Sequence, residues 1–134
     1  PFERELSHVK CYASIEEKRF TGRVKVEYDI QDDEFLIPSL TLQPLVENAI
    51  KHGICKKRGG GTVKVHTERK SDEVYITVTD DGVGFDMAKV NYDDKIHVGI
   101  ENVKKRLNDM SGGTLKIESV IGEGTRVTMI IPQK

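Results

Sequence analysis

The chain has 134 residues, 37% hydrophobic and 32% charged, which fits one domain with a single core. A net charge of −1 leaves no electrostatic footprint for nucleic acid or a membrane surface, and no apolar run approaches the ~20 residues of a membrane span. Pro1 to Lys10 is charged throughout and excludes a signal peptide, while the absence of an initial Met points to an excised piece of something longer. Cys11 and Cys55 lie far apart with no CxxC and no Cys/His ligand spacing, so both are expected to be reduced in a cytosolic setting.

Phe2, Leu6, Val9 and Ala13 recur every three or four residues and predict an amphipathic helix over about residues 3–18. His8 sits within it, as a surface histidine rather than a phosphoacceptor, because no pattern supports the second role. Arg23 to Ile30 alternates apolar and polar and reads as a half-buried strand.

Leu42–Ile54, LQPLVENAIKHGI, reads as the next helix. Leu42, Leu45, Val46, Ala49 and Ile50 fall on one arc; Glu47, Asn48, Lys51 and His52 fall on the other. A solvated face is the ordinary meaning of such a polar arc. A carboxylate, an amide oxygen and a cation side by side also suit a magnesium-bound polyphosphate, since Mg²⁺ takes oxygen ligands and a lysine one turn on can neutralise phosphates. Pro44 is awkward if this helix begins near Ser39 and natural if it occupies the first helical position. Gly53 is the expected stop.

Lys56 to Gly61 reads as a basic, glycine-rich hairpin connection, not a Walker A loop. Val63 to Arg69 and Val74 to Thr79 alternate as two strands. If the second runs one residue further, Asp80 points to the same side as Val74, Ile76 and Val78, where a carboxylate is costly to bury without a donor; otherwise Asp80 begins a turn. Asp80-Asp81-Gly82-Val83-Gly84 leaves the strand tightly, and its glycines permit close approach of a flat ligand to the backbone. A third glycine for a dinucleotide fingerprint is missing, because position 87 is Met87.

Asp86 to Ile96 lacks periodicity and has the size of a lid. Gly99 then opens a helix with Ile100, Val103, Leu107 and Met110 on one face, Lys104 and Lys105 as solvated charge, and Gly112-Gly113 as the stop. Thr114 to Val120 and Thr125 to Ile131 form two strands joined by a hairpin at Ile121 to Gly124. Strands in hairpin-linked runs, with helices to cover one face, argue for an α+β two-layer sandwich.

Four segments, in order, resemble the GHKL superfamily of ATP-binding domains. Leu42–Ile54 is similar to its N box, and QPLVENAIKHG in particular to the LytS-like branch of sensor histidine kinases. Asp80-x-Gly82-x-Gly84, His97-Val98-Gly99-Ile100-Glu101-Asn102 and Gly122-x-Gly124-Thr125 are similar to its three glycine boxes. The opening stretch ELSHVKCYASIEEKRF resembles the segment preceding the ATP site in LytS-like kinases, so the resemblance covers nearly the whole chain. It implies a Bergerat-type fold over residues 1–134, with a mixed sheet of about five strands and about three helices on one face, as the C-terminal catalytic domain of a longer sensor kinase.

The resemblance also implies roles, with ATP and Mg²⁺ as ligands. Asn48 would give its side-chain oxygen to Mg²⁺, and Glu47 would lie near the γ-phosphate, polarising the attacking group. Lys51 would touch phosphates and His52 the ribose or adenine side. Asp80 would accept a hydrogen bond from the adenine amine, with Gly82 and Gly84 letting the base lie on the backbone. Gly99 and Ile100 would offer amides to the phosphates at a helix start, and Gly124 and Thr125 would close the pocket floor. The implied reaction is transfer of the ATP γ-phosphoryl to a histidine on an upstream dimerisation segment, with a response regulator as further partner. The implied setting is a cytoplasmic domain of a membrane-anchored kinase with no membrane contact of its own. Two other readings use the same fold: an ATPase in which Glu47 activates water, and a nucleotide-free docking module. His97 departs from the family, standing where the second glycine box usually begins with glycine. None of His8, His52, His66 or His97 lies in an acceptor motif, so the chain should bind ATP without carrying its own acceptor.

Overall fold

A computed structural model describes residues 1–32, 34–38, 40–54, 59–84 and 95–133, with residues 95–98 described in their backbone only. Helix α1 spans Phe2–Arg19 and strand β1 Val24–Ile30. Helix α2, Leu42–Asn48, passes directly into a π-helical turn, Ala49–Ile54. Strands β2 (Gly61–Lys70) and β3 (Glu73–Asp80) follow, then helix α3 (Lys95–Ser111) and strands β4 (Thr114–Val120) and β5 (Gly124–Pro132).

The strands form one mixed sheet in the order β1-β2-β3-β5-β4, with β1 parallel to β2 and the other neighbours antiparallel. This is the expected five-stranded sheet with a helical layer. The parallel pair revises one connection. Lys56 to Gly61 is not a hairpin loop: parallel neighbours need a crossover, which α2 supplies, so this segment brings a helix back to a strand. Residues 55–58 of it lie outside the described residues.

Alternation sets the core face. Val63, Val65, Val74, Ile76, Met129 and Ile131 are almost fully buried, and they meet Leu42, Leu45, Val46 and Ile50 from the α2 segment and Leu107 from α3. Helix α2 packs between α1 and α3. Met110 is 63% exposed, not on the buried face: it lies in the last turn of α3, just before Gly112 (φ 71°) turns the chain into β4. The expected lid at Asp86 to Ile96 falls outside the described residues up to position 94, and Lys95 and Ile96 belong to α3.

Several contacts fix where α2 begins. After β1, Gln31 N–H donates to the Thr67 carbonyl (3.0 Å) and the Thr67 hydroxyl donates to the Asp32 carbonyl (2.6 Å). Arg69 binds the Asp32 carboxylate and, with the Glu34 amide, holds that carboxyl below its usual range. Phe35 then stacks on Phe2 of α1 (centroids 4.5 Å apart), and the Phe2 amide donates to its carbonyl (3.0 Å). Thr41 makes no side-chain cap at α2. Glu5 of α1, 6% exposed, supplies one instead: its carboxylate accepts the Leu40 and Gln43 amides at 3.3 and 3.2 Å.

Pro44 is therefore the third residue of α2, neither its first nor an interior one, and its missing N–H is among those that no helical carbonyl would receive. The π-turn carries Ile54 into the core, fully buried, so the helical segment runs one residue past Gly53. Because Glu5 replaces a local cap, Glu5→Ala should lower the unfolding free energy by about 1–3 kcal/mol in urea titration, and Glu5→Gln, which keeps one acceptor oxygen, by less.

Candidate functional site

An open cleft lies between the end of α2, the first half of α3 and one end of the core face of β3 and β5. Its walls are apolar: Leu45 and Ala49 from the α2 segment, Ile100 from α3, Val78 and Val127 from the sheet. Four polar side chains break them: Asn48, His52, Asp80 and Thr125. An apolar slot with a few convergent polar groups is the usual form of a small-molecule site.

Asp80 is the last residue of β3, and the strand does run that far. Parity puts it on the core face beyond Val74, Ile76 and Val78, and only 6% of it is exposed. Its Oδ1 accepts the Gly82 amide at 2.9 Å. Across the ladder it pairs with Thr125. Gly124 (φ 122°) is needed there, because a Cβ would sit 2.0 Å from the Asp80 carbonyl oxygen. Gly84 (φ 64°) presses equally hard on the β4–β5 hairpin, where a Cβ would lie 2.1 Å from the Val120 carbonyl oxygen. The hairpin answers with a bond from the Gly122 amide to the Val83 carbonyl (2.8 Å). Asp81 points elsewhere and braces the start of β2 by accepting the Thr62 amide (2.7 Å).

Asn48 and His52, four residues apart, both reach the cleft from the α2 segment. The Asn48 Nδ2 is buried and has no hydrogen-bond partner among the described residues. Such a donor costs about 1–3 kcal/mol when left unmet. Gly99 lies over it: a Cβ at Gly99 would come 3.3 Å from Nδ2 and 3.8 Å from Oδ1 of Asn48.

The structure thus gathers Asn48, His52, Asp80, Gly84, Ile100 and Thr125 around one cleft, with Gly82 hydrogen-bonded to the Asp80 carboxylate, Gly124 packed against the Asp80 backbone and Gly99 against Asn48. Glu47 and Lys51 do not line it. The Glu47 Oε1 accepts the Gln43 side-chain amide (3.3 Å), and Lys51 is exposed. The expectation for Gly99 and Ile100 needs correction. Helix α3 starts at Lys95, so Gly99 is its fifth residue and these two amides fall inside the helix, where residues 95 and 96 supply carbonyl partners, not at its free start. The side chain of His97 lies outside the described residues. One contributor went unnoticed in the sequence: Ser119 of β4, whose hydroxyl lies 2.8 Å from that of Thr125.

The donor set fits a magnesium nucleotide. An asparagine offers one oxygen to a hard cation and N–H donors to phosphate oxygens, the partners its buried amide lacks. Among the described residues no three His, Cys, Asp or Glu side chains cluster as a metal cage, and Mg²⁺ shared with phosphates and waters requires none. A carboxylate beside apolar walls suits the amino edge of a flat base.

Comparison with known proteins gives the family. Residues 32–134 match the model of the histidine kinase-, DNA gyrase B- and HSP90-like ATPase family. The chain is 41% identical to YwpD of Bacillus subtilis, over 97% of this chain and 49% of that protein. It is 36% identical to the sensor protein LytS of Bacillus anthracis, over all of this chain and 25% of that one. The chain therefore spans between a quarter and a half of these relatives. The blue-light activated histidine kinase EL346 of Erythrobacter litoralis shares the fold, with a TM-score of 0.73 at 23% identity, over 98% of this chain and 42% of that one.

The Gly99 contact makes a direct expectation. Gly99→Ala should gain up to about 1 kcal/mol of helix stability while displacing the Asn48 amide, seen as a shift of its side-chain ¹H–¹⁵N resonances with the thermal midpoint unchanged or raised.

Proposed function

The chain belongs to the histidine kinase-, DNA gyrase B- and HSP90-like ATPase family, and from that premise we propose that it is the ATP-binding catalytic domain of a sensor histidine kinase. It transfers the γ-phosphoryl group of ATP to a histidine on an upstream dimerisation segment, for passage to a response regulator. The observation that carries this reading is one apolar cleft lined by both the inward-facing Asp80 carboxylate and the unmet Asn48 amide.

In this account Asp80 reads the amino group of adenine, Val78, Val127 and Ile100 sandwich the base, and Gly84 lets it approach the backbone. His52 flanks the ribose. Asn48 holds the phosphate end, where Mg²⁺ would supply charge neutralisation when bound. Glu47 and Lys51 stand next in sequence to Asn48 and His52 but outside the cleft, so they meet only the outermost phosphate or the incoming acceptor. Positioning and charge neutralisation supply most of the catalysis, as phosphoryl transfer generally requires. Among the described residues no helix is long and apolar enough to cross a membrane. The proposed substrate, ATP, places the domain's work in the cytoplasm.

The test uses the full-length protein and γ-labelled Mg-ATP. We expect an acid-labile, alkali-stable phosphohistidine, whose rate of formation falls about 100-fold in Asn48→Ala. Asp80→Asn should weaken nucleotide binding about tenfold or more, because the new amide places donors against a donor. An intact Asn48 with no phosphohistidine would contradict the proposal.

A further inference from the structure

Strand β4, Thr114–Val120, is an edge of the sheet: β5 pairs with one side of it, and among the described residues no strand pairs with the other. Among the described residues the backbone of residues 114–118 makes no hydrogen bond outside that ladder. An open edge of this kind is a template for another strand. The helical layer also thins here. Val127, Met129 and Ile131 of β5 are buried, whereas Leu115 and Ile117, on the same face of β4, are only half-buried. Val120, at the end of the strand, is 55% exposed. The opposite edge is better closed: Val24 and Val26 of β1 are buried, with α1 against that strand.

The charges on β4 choose the partner. Lys116 and Glu118 are both exposed on the face away from the core, on either side of Ile117. When two copies of one strand pair antiparallel, both core faces lie on the same side of the joined sheet. The pairing is then centred on a residue, because a centre between two residues would set an inward side chain opposite an outward one. Centred on Ile117, all seven residues of β4 are used. Lys116 of each copy then stands opposite Glu118 of the other, Ile117 opposite Ile117, and Leu115 opposite Ser119. Centred on Lys116 or on Glu118, the strands would set like charges directly against each other. A lysine in an edge strand ordinarily guards it against association. Here the glutamate two residues on gives that lysine a partner, in one register only.

We infer that the β4 edge is a self-association surface: two copies of this chain pair antiparallel about Ile117 and join their sheets into one. The inference does not depend on the nucleotide reading. Each backbone gains the hydrogen bonds that its edge lacks, the half-buried Leu115 and Ile117 are covered by the second copy, and the two Lys116–Glu118 pairs fix the register. A strip one strand wide is at the small end of specific interfaces, so the association is weak and concentration-dependent. Where two copies are already tethered, as the proposed upstream dimerisation segment would do, such a contact needs little affinity of its own.

Sedimentation velocity on the 134-residue chain tests this, over a range from about 10 µM to about 1 mM. We expect a monomer–dimer equilibrium with a Kd on the order of 100 µM. Lys116→Glu alone sets glutamate against glutamate at both crossings and should raise the Kd about tenfold or more; Glu118→Lys alone, which sets lysine against lysine, should do the same. The double variant, Lys116→Glu with Glu118→Lys, restores opposite charges and should return the Kd to within about threefold of the parent. Both side chains are exposed, so all three variants should keep the parent's thermal midpoint at low concentration. A parent chain that stays monomeric at the top of the range would overturn the inference. So would a dimer that both single reversals leave intact, which would use another surface, or a double variant as weak as the singles.

Discussion

A carboxylate on the apolar side of a sheet is the constraint around which this structure is arranged. Burying Asp80 costs several kcal/mol unless donors meet it. The chain meets that cost locally, turning at once so that Gly82 donates to it. The same turn needs Gly84 in a left-handed conformation against the β4–β5 hairpin, and the start of β5 needs Gly124 against the Asp80 carbonyl. The backbone on either side of this turn packs so closely that glycine is needed in two separated parts of the chain. An arrangement so demanding at the mouth of an apolar cleft has a ready physical purpose in recognising a ligand that donates hydrogen bonds.

The rest of the cleft depends on the helices. Asn48 reaches the cleft only if α2 starts in the right place, and that start is fixed from outside the helix. Glu5 on α1 caps it, Phe2 and Phe35 stack beside it, and Thr67 and Arg69 hold the loop leading to it. Helix α1 lies ahead of the matched family region, yet its carboxylate takes the place of the local cap that Thr41 does not make. The α2 segment is therefore coupled to α1, which gives a physical route by which a shift of α1 would move Asn48.

Much of this was legible in the chain because its signals are local. The alternation of Val74, Ile76 and Val78 was enough to aim Asp80 inward once the strand was extended by one residue. The apolar arc of Leu42, Leu45, Val46 and Ile50 fixed the face that α2 buries, leaving Asn48 and His52 for the cleft. What could not be read was non-local or lay at element ends. Nothing in Lys56 to Gly61 announces a crossover; the parallel register is decided by where α2 packs. Pro44 at the third helical position depended on a capping carboxylate 38 residues away in sequence. Gly99 looked like a helix start because the preceding residues lack periodicity, although Asp93-Asp94, of a type favoured just ahead of helices, precede Lys95. Ser119 carries no signal of its own in the sequence; only the hairpin register about Gly122 sets it opposite Thr125.

The central claim is that one cleft binds a magnesium nucleotide with Asp80 at its base end and Asn48 at its phosphate end. Calorimetric titration of the 134-residue chain with a non-hydrolysable ATP analogue, with and without Mg²⁺, tests it most directly. The account predicts saturable binding that is tighter with Mg²⁺ and much weaker for the guanine counterpart. No heat and no thermal stabilisation at millimolar nucleotide would contradict it, and would return the chain to the reading of a docking module that has kept the fold and lost the ligand.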